Sequence, residues 1–240
     1  MKVAVISDIH GNIHALEAVE KRLSELGVDD VWCLGDTVGY GAFPNQCIEW
    51  VKRNCSIVLL GNHELALLGF VDTSLLNDYA RKAIEWTKEV ITDENVEFLK
   101  NLGVQHLTDC CQLVHDTPES PGSMNYILTK REAYGALLSQ QRNVCFFGHT
   151  HIPVAYRLLS STVDKLSLYT LSVDAGRYLI NPGSVGQPRD NDPRASFGIF
   201  DTEALRFSLY RVEYNTKAAA REILRAGLPD YLAARLILGV

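Results

Sequence analysis

The sequence predicts an α/β protein of two stacked mixed β-sheets flanked by helices, organised as one domain over residues 1–240. Three observations point there. Short apolar runs recur, each followed at once by polar, glycine-containing residues; helical patterns separate the first three runs; and strand-like alternation fills much of the second half. With 240 residues, 47% of them hydrophobic and 22% charged, the chain is long enough to bury an extensive core without staples.

The runs at residues 3–6, 31–34, 57–60, 113–114, 144–147 and 178–180 are too short for helices and read as strands buried on both faces. Ala15, Leu16, Val19, Leu23 and Leu26 form one apolar helical face that stops at Gly27. Residues 44–53 read as a second helix, with Pro44 in its first turn. The resulting strand–helix–strand–helix–strand order predicts a parallel sheet, in which ligands bind beyond the carboxyl ends of the strands. Residues 74–102 read as one or two helices, broken near Thr92 and Asp93, that flank such a site. Residues 154–171 and 177–180 alternate like strands, 195–201 and 205–214 form a hairpin, and two helices at 216–226 and 229–238 close the chain.

The net charge of -6 argues against nucleic acid and anionic membranes as partners, because both demand a basic face. No stretch is long and apolar enough to span a bilayer. The first apolar run is too short for a signal peptide and no cleavage site follows it, so the expected location is cytoplasmic. The six cysteines form no CxxC pair and read as reduced and mostly buried, the adjacent Cys110 and Cys111 included.

Strand ends supply Asp8, His10, Asp36, Asn62, His115, His149 and His151. Imidazole nitrogens with carboxylate and amide oxygens are the donor set of divalent metals of intermediate hardness, and seven such groups suffice for two ions. Two cations held ~3.5–4 Å apart need a shared oxygen ligand. Asp36, the lone carboxylate of its glycine-flanked turn, is the natural bridge. A single histidine is more often structural than a ligand. Five of the seven histidines falling in strand-end motifs is a different matter, since chance would have to bury all of those polar groups together.

The ordered set Asp8-x-His10, Gly35-Asp36, Gly61-Asn62-His63-Glu64, His115 and Gly148-His149-x-His151 resembles the calcineurin-like metallophosphoesterase family. It is most similar to the small bacterial and archaeal members, which also carry a segment like Asn181-Pro182-Gly183-Ser184-Val185-Gly186. The resemblance implies a four-layer α/β/β/α sandwich. It places one metal on Asp8, His10, Asp36 and His151 and a second on Asp36, Asn62, His115 and His149. The ions expected are manganese, iron or zinc, with nickel, cobalt and magnesium as further options. It implies a phosphatase or phosphodiesterase that hydrolyses small phosphate esters with a hydroxide bridging the metals, so that Asp36 and His63 count as catalytic. His63 would donate a proton to the leaving oxygen or, with Asn62, bind the phosphate. Glu64 would orient a histidine.

Three positions depart from relatives. Protein serine/threonine phosphatases carry an aspartate and an arginine after Gly-Asp-x-x, where this chain has Gly39 and Tyr40. Arg189 is a candidate substitute for that phosphate-gripping arginine, while its place in a loop predicts an exposed side chain. Asp116 follows His115 where close relatives have glycine, with consequences for phosphate access or the second metal. A scaffold of the same fold and a nuclease are the competing readings. The complete ligand set argues against the first, and the acidic balance, with no Lys/Arg cluster, against the second.

Overall fold

In the computed structural model, which describes residues 1–240, the chain begins with β1 (Lys2–Ile6), α1 (Ile13–Leu26), β2 (Asp30–Cys33), α2 (Pro44–Asn54) and β3 (Ile57–Val58). The Asn12 side chain caps α1 by accepting from the Ala15 amide, and Gly27 ends it in the left-handed conformation, at φ 61°. Then come α3 (Asn62–Leu67), α4 (Asp78–Val90) and α5 (Asp93–Lys100). The last two are separated because Thr92 caps α5 through the Asn95 amide. Next are β4 (Gln105–Leu107), β5 (Cys111–Val114), α6 (Lys130–Ser139), β6 (Val144–Phe146), β7 (Val154–Leu159), β8 (Thr162–Leu166), β9 (Leu171–Ser172) and β10 (Arg177–Asn181). The hairpin is β11 (Ala195–Asp201) with β12 (Arg206–Val212), followed by α7 (Thr216–Arg225) and α8 (Asp230–Leu238).

The strands form two six-stranded sheets, ordered β3-β2-β1-β11-β12-β9 and β4-β5-β6-β10-β7-β8. Both are mixed. The runs β1, β2 and β3 are mutually parallel, as are β5, β6 and β10, and the remaining pairs are antiparallel. Alternation along each strand sends one set of side chains between the sheets, where Val3, Val5, Trp32 and Phe200 meet Leu113, Phe146 and Ile180. The opposite set faces helices. Ala4, Ile6 and Phe197 pack with Leu16, Val19 and Trp50 of α1 and α2, while Val114, Cys145 and Leu179 pack with Ala133, Ala136 and Leu137 of α6. The layers are therefore helix, sheet, sheet, helix.

Two helices depart from the sequence reading. The segment after β3 is not a turn but the short helix α3, which begins on Asn62 itself. Helix α6 lies in a stretch without a strong apolar period, although Thr129 and Glu132 form the reciprocal capping box that marks its start. Helix α4 buries Ala80 and Ala83 beside Tyr40, and Ile84 beside Val38 and Leu65. All six cysteines are free. No helix is long and apolar enough to cross a membrane.

Candidate metal centre

The parallel strands of both sheets end on one edge of the sandwich. Asp8 and His10 follow β1, Asp36 follows β2, Asn62 and His63 follow β3, His115 follows β5, and His149 and His151 follow β6. Five of these residues hold left-handed backbone conformations: Asp8 at φ 55°, His10 at 49°, Asp36 at 53°, His149 at 64° and His151 at 60°. For residues with a Cβ such geometry costs of order 1–3 kcal/mol each and persists only where surroundings enforce it, as at functional sites. Two glycines make room for the turns. A Cβ at Gly61 would overlap the Asp36 carboxylate, and one at Gly148 would overlap the Ser7 hydroxyl beneath Asp8.

The turned side chains converge in two buried groups that share one residue, Asp8, His10, Asp36 and His151 in the first and Asp36, His115 and His149 in the second. Asp36 Oδ2 lies 3.5 Å from His10 Nε2 and 3.3 Å from His115 Nε2, so one oxygen faces both groups. Asp8 Oδ1 is 3.3 Å from His151 Nε2. Asn62 Oδ1 joins the second group, 3.2 Å from His115 Nε2.

The tautomers follow from the outer partners, because a backbone carbonyl can only accept. His10 Nδ1 donates to the Val38 carbonyl at 3.0 Å, His151 Nδ1 to Gln187 at 2.6 Å, and His115 Nδ1 to Leu34 at 3.0 Å. His149 donates through Nε2 to Met124 at 3.2 Å, which leaves its Nδ1 lone pair free. In the neutral rings the inward nitrogens therefore carry lone pairs. His10 Nε2 and His151 Nε2 face each other at 3.0 Å, and His115 Nε2 faces two oxygens. Such a convergence of acceptors is repulsive unless a cation stands among them.

The electrostatics agree. Burial holds His10 and His151 well below the ordinary imidazole pKa, and lowers His149 to about 3 and His63 to about 4, so these rings are neutral ligand forms at pH 7. Burial pushes Asp8 up to about 7. Burial raises Asp36 too, but the His115 imidazole beside it outweighs burial and holds that carboxyl well below its usual range. His115 is the exception. Burial lowers it, yet the charges of Asp36 and Asp8 prevail and bring it up to about 10. With protein groups alone, a proton on this ring supplies the positive charge that the second group demands.

Supporting residues fix the turns. The Glu64 carboxylate hydrogen-bonds no histidine ring, contrary to the sequence expectation. It accepts from the amides of Asp36 at 2.9 Å, Val38 at 2.9 Å and Gly61 at 2.8 Å, stapling the β2 turn to the start of α3. Helical backbone at residue 64 aims the side chain back at the amides of its own N-terminus, away from the rings. The Asp116 carboxylate is spent on the loop that follows it, although its charge adds to those that raise His115. It is buried and accepts from the amides of Thr117, Gly122 and Met124 at 2.8, 3.0 and 2.7 Å, shaping the loop whose Met124 carbonyl holds His149. The 181–186 segment clamps the β1 and β6 turns together. Asn181 Nδ2 donates to the Gly148 carbonyl at 2.7 Å and Ser184 Oγ to the Asp8 carbonyl at 2.8 Å.

His63 sits beside both groups rather than within them. Its amide donates to Asp36 Oδ1 at 2.9 Å, and its ring lies 4.7 Å from His10 and 4.5 Å from Tyr40. Its Nδ1 is buried against Gly39, where a Cβ would overlap it, and has no hydrogen-bond partner. Arg189 is half-buried rather than exposed, with its guanidinium 5.8 Å over the Tyr40 ring. Two aromatic neighbours were not legible as site residues: Tyr40, packed on His10 at 4.6 Å, and Tyr126, stacked on His149 at 4.1 Å. Tyr126 belongs to no motif, and only the loop after β5 brings it there.

Residues 1–205 match the family described as the calcineurin-like phosphoesterase superfamily domain. An uncharacterized protein of Methanocaldococcus jannaschii is 37% identical over 244 residues, covering 99% of this chain and 98% of the relative. A symmetrical bis(5'-nucleosyl)-tetraphosphatase of Actinobacillus pleuropneumoniae is 27% identical over 191 residues, 75% of this chain and 66% of its own length. Among solved structures, a metallophosphoesterase from Sphaerobacter thermophilus superposes with a TM-score of 0.88 at 40% identity, covering 100% of this chain and 99% of that one. A hypothetical protein of Pyrococcus horikoshii shares the fold, with a TM-score of 0.81 at 21% identity and coverage of 100% and 98%.

Proposed function

The chain belongs to the calcineurin-like phosphoesterase superfamily, and from that premise we propose that it hydrolyses phosphate esters with two divalent metal ions, taking nucleotide esters among its substrates. The observation that carries this reading is the convergence of acceptors, with Asp36 Oδ2 placed between His10 and His115. Asp8, His10, Asp36 and His151 would hold one ion, and Asp36, Asn62, His115 and His149 the other. Bound there, the ions supply a nucleophile at neutral pH and neutralise phosphate charge.

The chain's own residues do the rest. Asp36 would face both ions with one carboxylate, and His115 first among its imidazole neighbours keeps it ionised. Glu64 holds the Asp36 turn in its strained conformation. His63, a neutral ring whose Nδ1 is enclosed against Gly39, would hydrogen-bond the phosphate or pass a proton to the leaving oxygen through its other nitrogen. Burial lowers its pKa to about 4, so at pH 7 the ring is neutral and would act through its N–H rather than as an imidazolium. Arg189, lying over Tyr40, would supply a guanidinium to phosphate oxygens.

The nucleotide component rests on the likeness to the bis(5'-nucleosyl)-tetraphosphatase, which covers three quarters of this chain. The test is a panel of aryl monoesters, aryl diesters, mononucleotides and dinucleoside polyphosphates with manganese, iron or zinc. Hydrolysis that chelation abolishes is expected. Full activity in rigorously metal-free protein would overturn the reading.

A further inference from the structure

The loop after β5 is fixed at points on both sides of Tyr126. Met124 is held twice, its amide donating to Asp116 Oδ2 at 2.7 Å and its carbonyl accepting from His149 Nε2 at 3.2 Å. Ile127 is buried against Ala133, Ala136 and Leu137 of α6. Tyr126 stands between these anchors, and its ring lies on the His149 imidazole, 4.1 Å between centroids and 27° from parallel. That stack covers one face of the ring. Yet Tyr126 is 47% exposed, so the other face is left open. The residue lines a cleft of about 500 Å³ between the loop and α6, with Glu119 and Asn125 on the loop side and Arg131, Glu132 and Gly135 on the helix side. The missing side chain at Gly135 makes part of the room, because a Cβ there would overlap the Glu119 carboxylate.

We propose that the open face of Tyr126 is the floor of a leaving-group subsite that stacks the base of a nucleoside phosphate. The proposal rests on the hydrolase reading above and names the part of the substrate that is selected. Every nucleobase presents a π-face, and a tyrosine already held in place by its neighbours loses little freedom when a base stacks on it. The charges of the cleft favour a neutral base over a further phosphate. Two carboxylates, Glu119 and Glu132, stand there against one guanidinium, Arg131, so a polyphosphate tail would meet like charge. The Asn125 amide and these charged groups offer donors and acceptors to a ring edge. Distance from the metals points the same way. His149 would give its Nδ1 to the second ion, Tyr126 stands one stacked ring beyond it, and a ligand on the open face would be a second ring out. That spacing suits a ring set off from the scissile phosphate by a pentose better than an aryl group joined directly to it. Tyr126 therefore acts on which ester is held rather than on bond breaking.

The experiment compares adenosine 5'-monophosphate with ribose 5-phosphate, which has the same leaving alkoxide and no base. Turnover gives kcat/KM, and calorimetry gives the affinity for the phosphonate analogues of both, in which CH₂ replaces the ester oxygen. All proteins are loaded with manganese. The parent should favour the adenosine compound at least fivefold in both measurements, the factor that about 1 kcal/mol of stacking gives. Tyr126→Leu should bring that ratio close to one, and Tyr126→Phe should keep it. Gly135→Leu fills the cleft from the α6 wall, away from the His149 stack, and should lower the ratio with both manganese ions still bound. No preference in the parent, or a full preference in Tyr126→Leu or Gly135→Leu, would overturn the subsite. So would loss of the second manganese ion from Tyr126→Leu, which would make the ring a prop for His149. Phosphonate discrimination that depends on Tyr126, without hydrolysis of either ester, retains the subsite and removes the hydrolase. Hydrolysis of both esters at equal efficiency does the reverse.

Discussion

Replacing Glu64 with glutamine tests how the centre is held. The carboxylate is fully buried and accepts three amide hydrogens, from Asp36, Val38 and Gly61 at 2.9, 2.9 and 2.8 Å. Glutamine is nearly isosteric, but only its oxygen accepts. If that oxygen keeps the Asp36 and Gly61 amides, the NH₂ group must face the Val38 amide, donor against donor. A buried amide left unpaired costs about 1–3 kcal/mol, and two remaining bonds lose their charge assistance. Burial pushes the carboxyl up to about 7, so desolvation already offsets part of that assistance. The net loss is then about 2–3 kcal/mol. At roughly 2–4 °C per kcal/mol for a chain of this size, Tm falls by about 4–12 °C. Differential scanning calorimetry of the metal-free proteins reads this directly. Manganese titration of the same samples should show weaker binding, because the Asp36 turn at φ 53° has lost its support. A Tm within 1 °C of the parent, with unchanged metal binding, would refute the staple.

Asp36→Asn should weaken both metal sites whereas His115→Ala weakens mainly one; calorimetric titration with two normal sites in Asp36→Asn would remove the bridge. Because His115 is raised to about 10, it is protonated at pH 7 and must give up that proton to a metal, so affinity at the second site should rise about tenfold per pH unit below 10. Titrations in buffers of different ionisation enthalpy should count about one proton released there; none released would contradict the assignment. His63→Ala should retain metal, lose little activity on nitrophenyl esters and lose about 10²–10⁴ on alkyl esters. A uniform loss across leaving-group pKa would make His63 a phosphate-binding group. Asp116→Ala strips the acceptor from three amides, and about 3 kcal/mol of stability should go with it. Limited proteolysis should then cut the 117–125 loop first, and a loop as resistant as the parent's would show that other contacts hold it.

The sequence alone determined the strands and most helices, because each records a local cause. Two-residue alternation, the 3.6-residue apolar face ending at Gly27, and Pro44 in a first turn are readable without a partner. It also determined which polar groups gather, since parallel strands deliver their carboxyl ends to one edge wherever their order allows. The helix α6 was missed because an apolar face of only Ala133, Ala136 and Leu137 leaves little period to read. What the tertiary structure decided is every relation across long separations. That Asp36 Oδ2 stands between His10 and His115, that Glu64 grips amides rather than a ring, and that Asp116 shapes the loop that follows it depend on backbone directions at residues set apart in the chain. The left-handed conformations of Asp8, His10, Asp36, His149 and His151 have no local sequence signature, because these residues adopt them only under the packing of both sheets.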